Sequence, residues 1–226
     1  QQLIASGPVL IAGAWGTRLQ MQELTPGACA DGWNLSHPHQ VEQLAREYVE
    51  AGSRVILTNT FRANRLALAS RGLADRVAEI NRSGVAISRC AAAGKASVFA
   101  SIGPSGKLLI TGEVTEKKLR DVFAEQAQEL AAAGADGLVV ETMCDLDEAT
   151  IALEAAKATG LPVVVCMVFD SGKDQDRTMM GRTPEQVTEA LTAAGADVIG
   201  ANCGSGVSGY VSVCRRMRAA TTRPIW

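Results

Sequence analysis

The fold class this sequence predicts is α/β, a parallel (β/α)8 TIM barrel read without its last βα unit. Three observations carry that prediction. One phrase is used three times: a helical stretch ends at Ala-Gly, a polar residue or two follows, and an apolar run begins, at 47–61 (EYVEAGSRVILTNTF), 129–143 (ELAAAGADGLVVETM) and 190–204 (ALTAAGADVIGANCG). Glycine just past a last helical turn supplies a left-handed cap, and a short apolar run after it is a buried strand. Second, such runs alternate strictly with helical stretches, which calls for parallel strands covered on the outside. Third, the runs are continuously hydrophobic, as VILTNT, GLVVET and PVVVCMVF are, the mark of strands buried on both faces.

In chain order the seven strand candidates are 9–12, the run after Gly52, 96–102, the run after Gly134, 161–169, the run after Gly195, and 224–226. Helical patterns fill the gaps at 38–51, which opens with Pro38, and at 75–93, 115–133, 146–159, 183–194 and 209–220. A barrel needs eight strands and ~250 residues. The 226 residues are therefore read as one domain, 1–226, that is C-terminally incomplete: the end of the seventh strand and the eighth with its helix are expected beyond Trp226. A flavodoxin-like or Rossmann sheet is the competing architecture. It lacks a Gly-x-Gly-x-x-Gly opening a helix, to which Gly13-Ala14-Trp15-Gly16 has only a weak likeness.

Composition narrows the function classes. The chain is 47% hydrophobic and 20% charged with a formal net charge of -2, which argues against disorder and against an electrostatic grip on nucleic acid or an acidic membrane. Its longest apolar runs, such as 163–169, stop well short of the ~20 residues of a bilayer span, and no basic segment with a cleavage site opens the chain. A cytoplasmic protein is expected. The six cysteines are spread without the density or pairing of a disulfide scaffold, so they are expected to be buried thiols, one or two of them chemical.

In a parallel barrel the reactive groups belong at the carboxyl ends of the strands. Thr58, Asn59 and Thr60 follow the second run; Glu141 and Thr142, with Cys144 close by, follow the fourth; Asn202 and Cys203 follow the sixth. Glu141 ends an apolar run where burial is deep, and a buried carboxylate needs a cationic or donor partner or takes up a proton. It is read either as one half of a salt bridge to an arginine across the rim or as a clamp on a substrate ammonium. Cys203, in Asn202-Cys203-Gly204-Ser205-Gly206, is read as a small buried hydrophobe, a thiolate nucleophile or a metal ligand. The two histidines, His37 and His39, flank Pro38 and read as helix-entry chemistry, and no Cys-x-x-Cys or His-x-x-x-His pair is present to complete a zinc site. Asn34-Leu35-Ser36 reads as turn chemistry, and the charged loop 170–182 as a lid or an exposed tip whose Met179-Met180 pair covers an apolar ligand or packs within the loop.

Taken together, Gly13-Ala14-Trp15-Gly16-Thr17, Trp33-Asn34-Leu35 with Pro38, Tyr48-x-x-Ala51-Gly52, Thr58-Asn59-Thr60-Phe61, Gly103-Pro104, Glu141-Thr142 and Asn202-Cys203-Gly204 resemble the homocysteine S-methyltransferase family over essentially the whole chain. Each piece is weak alone; their order and spacing are specific. The resemblance implies a (β/α)8 barrel that holds zinc by three cysteines, binds homocysteine as a thiolate and transfers a methyl group to its sulfur, giving methionine. It implies that Cys203 is the first zinc cysteine and a catalytic residue, that Glu141 holds the homocysteine ammonium, that the turn at Gly13 and Ala14 receives the carboxylate, and that Thr58 and Asn59 line the rim beside the amino acid. The other two cysteines are implied as an adjacent pair at an eighth strand, outside this sequence. Relatives use betaine, S-methylmethionine, or folate with a corrinoid carrier, so a corrinoid would arrive on a separate protein docking at the mouth.

At Ala12 the family usually has aspartate, which leaves another acceptor thiol or another methyl donor as an alternative. A third reading is a metal-free truncated barrel acting as a binding module, its open sheet edge pairing with a second copy as a homo-oligomer.

Overall fold

The computed structural model describes residues 7–22, 27–204 and 206–226; Ser205, inside the glycine-rich turn noted above, lies outside the described residues. The strands are β1 (Val55–Leu57), β2 (Ser97–Ile102), β3 (Gly137–Met143), β4 (Val163–Met167) and β5 (Val198–Ala201). The helices are α1 (Trp15–Met21), α2 (Trp33–Ser36), α3 (Pro38–Glu50), α4 (Arg65–Ala69), α5 (Val77–Ala92), α6 (Glu116–Ala132), α7 (Leu146–Lys157), α8 (Pro184–Ala193) and α9 (Val207–Ala220). All strand pairs are parallel and neighbours in space are neighbours in sequence, in the order β1-β2-β3-β4-β5. That order is the one a singly wound barrel requires, and it sets aside the doubly wound competitor, whose strand order must reverse at a switch point.

The outermost strand candidates, 9–12 and 224–226, pair through isolated bridges rather than extended ladders. Segment 9–12 makes a single parallel bridge, Ile11 beside Val55, and 224–226 makes another, Ile225 beside Ile199. Backbone hydrogen bonds flank each bridge, from Ala12 N to Val55 O and Arg54 N to Leu10 O at the first, and from Ile199 N to Pro224 O and Trp226 N to Ile199 O at the last. They still extend the same order at both ends, giving seven strand positions.

Alternation along each strand sorts side chains into two layers, as a pleat with period two demands. Ile56, Ala100, Ile102, Leu138, Val140, Val163, Val165, Met167 and Ile199 face the helices. Val55, Leu57, Phe99, Val139, Val164 and Cys166 face the other way and form a separate buried cluster. Against this second cluster pack both Ile11, from the first strand position, and Trp226, from the last. The rings of Phe99 and Trp226 are stacked with centroids 5.9 Å apart. Four inter-strand steps separate their strands, which in a flat sheet is ~19 Å at ~4.8 Å per step. The sheet is therefore curled around these residues, and Val55 to Cys166 form the barrel interior.

The helical layer is built as the pattern predicts. Pro38 opens α3 at its first position, where a missing N–H costs nothing. Thr115 caps α6 by accepting from Lys118 N, and Thr183 with Gln186 forms a reciprocal capping box at α8. Helices α1, α2 and α4 escape the sequence reading because they are 7, 4 and 5 residues long, too short for a periodic signal. The cysteines depart from expectation: only Cys166 is fully buried, Cys29 and Cys144 are half-buried, and Cys90, Cys203 and Cys214 are exposed. Cys90 and Cys214 sit on outer helical positions, where composition alone gives no facing. No helix among the described residues is long and apolar enough to cross a membrane.

Gly103 marks a close approach. Its N–H donates to Phe61 O at 2.8 Å, and a Cβ there would lie 2.5 Å from that same oxygen and from the Phe61 ring. Gly103→Ala is expected to cost about 1–3 kcal/mol, because backbone rather than a flexible side chain must yield. Urea unfolding of the purified variant measures it, and an unchanged midpoint would contradict the packing described.

Candidate active site at the strand ends

Every polar side chain of interest lies at the carboxyl end of the sheet, and its placement follows from local backbone irregularities. Strand β3 pairs regularly with β4 through Val140, then shifts register before Met143. Within the shift, Thr142 takes φ +58°, a left-handed conformation that costs a β-branched residue of order 1–3 kcal/mol. Such irregularities re-aim side chains at the ends of strands. At the end of β5, Cys203 is also left-handed, at φ +61°. Gly204 follows at φ +71°, and a Cβ there would lie 2.8 Å from Tyr210 Oη. That hydroxyl donates to Asn202 O at 2.9 Å and accepts from Phe169 N at 3.4 Å, fixing the turn to β4.

These two irregular ends meet through Asn202. Its Nδ2 donates to Glu141 Oε2 at 2.9 Å and to Thr142 Oγ1 at 2.8 Å, and its Oδ1 accepts from Thr142 N at 2.9 Å. The peptide N–H of Thr142 requires an acceptor opposite it, which settles the orientation of the amide. Cys203 Sγ lies 3.4 Å from Thr142 Oγ1 and 3.7 Å from Asn202 Nδ2. Because the Thr142 hydroxyl already accepts from Asn202, its own hydrogen is left to point at the sulfur.

Glu141 has its other oxygen, Oε1, bonded by Ser101 Oγ. The residue keeps some exposure at the rim, while its carboxyl group is enclosed by protein. Desolvation pushes its pKa above the usual carboxylate value, and the bonds from Ser101 and Asn202 oppose that shift. Among the described residues no arginine, lysine or histidine pairs with it. The salt bridge across the rim, the plain structural reading of this carboxylate, is absent there.

Of the residues singled out from sequence, Glu141 and Cys203 come together around Asn202. Thr58 is one step removed: its buried hydroxyl accepts from Ser101 N at 3.1 Å and pairs with Thr60 Oγ1 at 2.6 Å, while Thr60 donates to Ser101 O at 2.7 Å. Thr58 thus holds the strand whose Ser101 reaches Glu141. Asn59 is directed elsewhere. Its Nδ2 donates to Ala30 O at 2.7 Å and Asn34 Oδ1 at 2.9 Å, and Asn34 returns a bond to Asn59 O, so this residue ties down the loop before α2.

Gly13 and Ala14 are exposed and follow the Ile11 bridge onto the same end of the sheet, where Tyr48 Oη donates to Ala14 O at 2.9 Å. Ala12 is buried in an apolar cluster with Ala45, Ile56 and Val98, on the helix-facing side of the sheet. Its methyl group is not beside Glu141.

Other candidates stand apart. His37 bonds Ser36 Oγ at 2.7 Å and stacks on Trp33 at 4.4 Å, as a helix-entry residue. Burial, with the carboxylate of Glu148 second, pushes the Cys144 thiol up; burial pushes Cys166 well up. The loop 170–182 is drawn toward the outer helices, because Arg216 of α9 bonds both Asp176 and Glu185, and Met179 and Met180 are exposed rather than folded over the mouth. A cleft of about 370 Å³ lined by Cys29, Trp33, Leu73 and Arg76 contains none of Glu141, Asn202 or Cys203.

Sequence reading placed Thr142 and Asn202 on the rim without a role and passed over Ser101. The available signal was period two: Ser101, Glu141 and Asn202 continue the inward-facing sets of their strands, where apolar residues precede them.

A model of the homocysteine S-methyltransferase family matches residues 9–226. The chain belongs to that family. It is 30% identical over 212 residues to methionine synthase of Mycobacterium tuberculosis, covering 86% of this chain and 18% of that protein. It is 34% identical over 174 residues to betaine–homocysteine S-methyltransferase 1 of Sus scrofa, covering 75% of this chain and 60% of that one. The chain thus spans less than two thirds of the curated relatives it matches here. The metallated form of the homocysteine methyltransferase MmuM from Escherichia coli superimposes with a TM-score of 0.85 at 20% identity, over 100% of this chain and 84% of that one. This likeness establishes the barrel fold.

Zinc, implied by resemblance to this family, can be tested against the residues present. Cys203 offers an exposed sulfur at the strand ends. No three His, Cys, Asp or Glu side chains gather there or elsewhere among the described residues. The described residues therefore fit one arm of a tetrahedral site and not a complete one.

Proposed function

We propose that this family member transfers a methyl group to the sulfur of homocysteine, forming methionine. The observation that carries the proposal is a desolvated carboxylate, Glu141, given two donors but no cation among the described residues, within one amide of an exposed cysteine sulfur. A negative charge so placed is stabilised by a cation brought by the ligand, and an α-ammonium group supplies one with its own N–H donors. Thr142, Asn202 and Ser101 hold the reading end of the site, and the turn at Gly13 and Ala14 lies on the same rim to receive the α-carboxylate.

In the reaction the homocysteine thiol loses its proton to solvent, a sulfur lone pair forms the bond to the methyl carbon, and the bond from carbon to donor breaks with its electron pair leaving on the donor. Cys203 would hold zinc in part, and the metal would supply the Lewis acidity that keeps a thiol deprotonated at neutral pH. The chain's own residues bind and orient: Glu141 grips the ammonium, Asn202 and Ser101 fix the carboxylate, and the open rim admits the donor. The donor is proposed to be betaine, S-methylmethionine, or a methylcorrinoid on a separate protein; betaine stands in the name of one relative.

The test is methionine formation by the purified full-length protein with zinc, offered homocysteine and each donor in turn. Turnover with one donor supports the reading. Zinc uptake without methylation of homocysteine by any of them would overturn it.

A further inference from the structure

Resting on that reading, we infer that Asn202 is a positioning residue that sets the spacing between ammonium grip and sulfur site, and thereby selects the length of the amino-acid substrate. One nitrogen, Asn202 Nδ2, lies 2.9 Å from Glu141 Oε2 and 3.7 Å from Cys203 Sγ. Carboxylate and sulfur can be no further apart than those two distances laid end to end. The amide that holds them is itself immobilised: Oδ1 is bonded by Thr142 N, Nδ2 also bonds Thr142 Oγ1, and the Asn202 carbonyl is bonded by Tyr210 Oη. Asn202 cannot swing without breaking contacts on both strand ends.

The carboxylate would otherwise be free to rotate about the Glu141 side chain, since Ser101 holds only Oε1. Two donors, one on each oxygen, fix the plane of the group and hence the direction from which an ammonium approaches. Thr142 completes the gauge, because its hydroxyl spans from Asn202 to Cys203 Sγ. A substrate bound by its ammonium at Glu141 must place its own sulfur beside that of Cys203. Homocysteine and cysteine differ by one methylene, about 1.5 Å of reach. A site of fixed span discriminates such a pair by ~10–200-fold, and a misplacement of ~1 Å costs ~100-fold in rate.

The experiment compares kcat/KM for homocysteine and cysteine in the zinc-loaded full-length protein, with Asn202→Ala and Asn202→Ser. Serine keeps a polar side chain at the strand end without adding charge and is too short to span from Thr142 to Glu141, so it reports on the gauge even where the alanine variant does not fold. The homocysteine preference is expected to fall at least tenfold in both variants, with most of the loss in kcat for homocysteine, while bound zinc stays near the unsubstituted level. Equal losses for both amino acids, or an unchanged preference, overturn this inference alone. An unsubstituted protein that methylates neither amino acid overturns the functional reading and this inference with it.

Discussion

Cys203→Ser is expected to abolish methyl transfer and zinc retention while leaving the fold intact. Loss of an outer partner of a metal ligand already costs ~10–100-fold in affinity or activity, so loss of the ligand itself should exceed about a hundredfold. Serine keeps the size and the polar tip but replaces a soft, easily deprotonated sulfur with an oxygen that stays protonated at neutral pH. Because Cys203 is exposed and already left-handed at φ +61°, serine adds no burial or backbone penalty, and stability should stay within about 0.5 kcal/mol. Metal content after gel filtration, methionine formation and a thermal melt provide the three readouts. A fully active variant would remove Cys203 from the site.

Glu141→Gln should separate binding from stability. Loss of a charged hydrogen-bond partner is worth about 1.5–3 kcal/mol, so the KM for homocysteine is expected to rise roughly 10- to 150-fold with a smaller change in kcat. The glutamine amide still satisfies its neighbours: its oxygen accepts from Asn202, and the Ser101 hydroxyl turns to accept from its nitrogen.

Stability is expected to be unchanged or higher, and the sign follows from the titration. The folded pKa of Glu141 is raised by desolvation. The folded state therefore binds this proton more tightly than the unfolded chain, and ionisation at neutral pH weakens the fold. That penalty fades as pH falls through the raised pKa toward the ordinary value of 4.5. Binding runs the opposite way, since the ammonium needs the ionised carboxylate: affinity for homocysteine should fall as pH drops through the same range. The share of both dependences that belongs to Glu141 should vanish in the glutamine variant, while the share of Asp31 and Glu148, whose pKa values burial also raises, remains. Calorimetric titration and melts across that range would expose an error if the variant kept the pH profile of the unsubstituted protein.

Legibility differed between elements for physical reasons. The repeated Ala-Gly phrase located β1, β3 and β5 because a glycine cap and a β-branched run are local signals, requiring no knowledge of the partners. Glu141 and Cys203 were visible for the same reason, each standing where an apolar run breaks. The roles of Thr58 and Asn59 were not visible. They are adjacent, yet Thr58 bonds the backbone of Ser101 while Asn59 bonds Ala30 and Asn34, and nothing local distinguishes one direction from the other. Ala12 is similar: its substitution for aspartate is plain in the sequence, but only packing shows that its methyl group faces Ala45 and Val98.

By itself the sequence determined a parallel α/β chain of seven strand positions, the rim on which its chemistry falls, and the family to which it belongs, because periodicity, capping glycines and motif order are properties of neighbouring residues. Only the tertiary structure decided that the sheet curls until Phe99 meets Trp226, and that Glu141 has two donors and no cation among the described residues. It also showed that Asn202, 61 residues from Glu141 in the chain, joins that carboxylate to Cys203. Those are contacts between distant segments, fixed by strand register and by two left-handed residues whose conformations no local pattern announces.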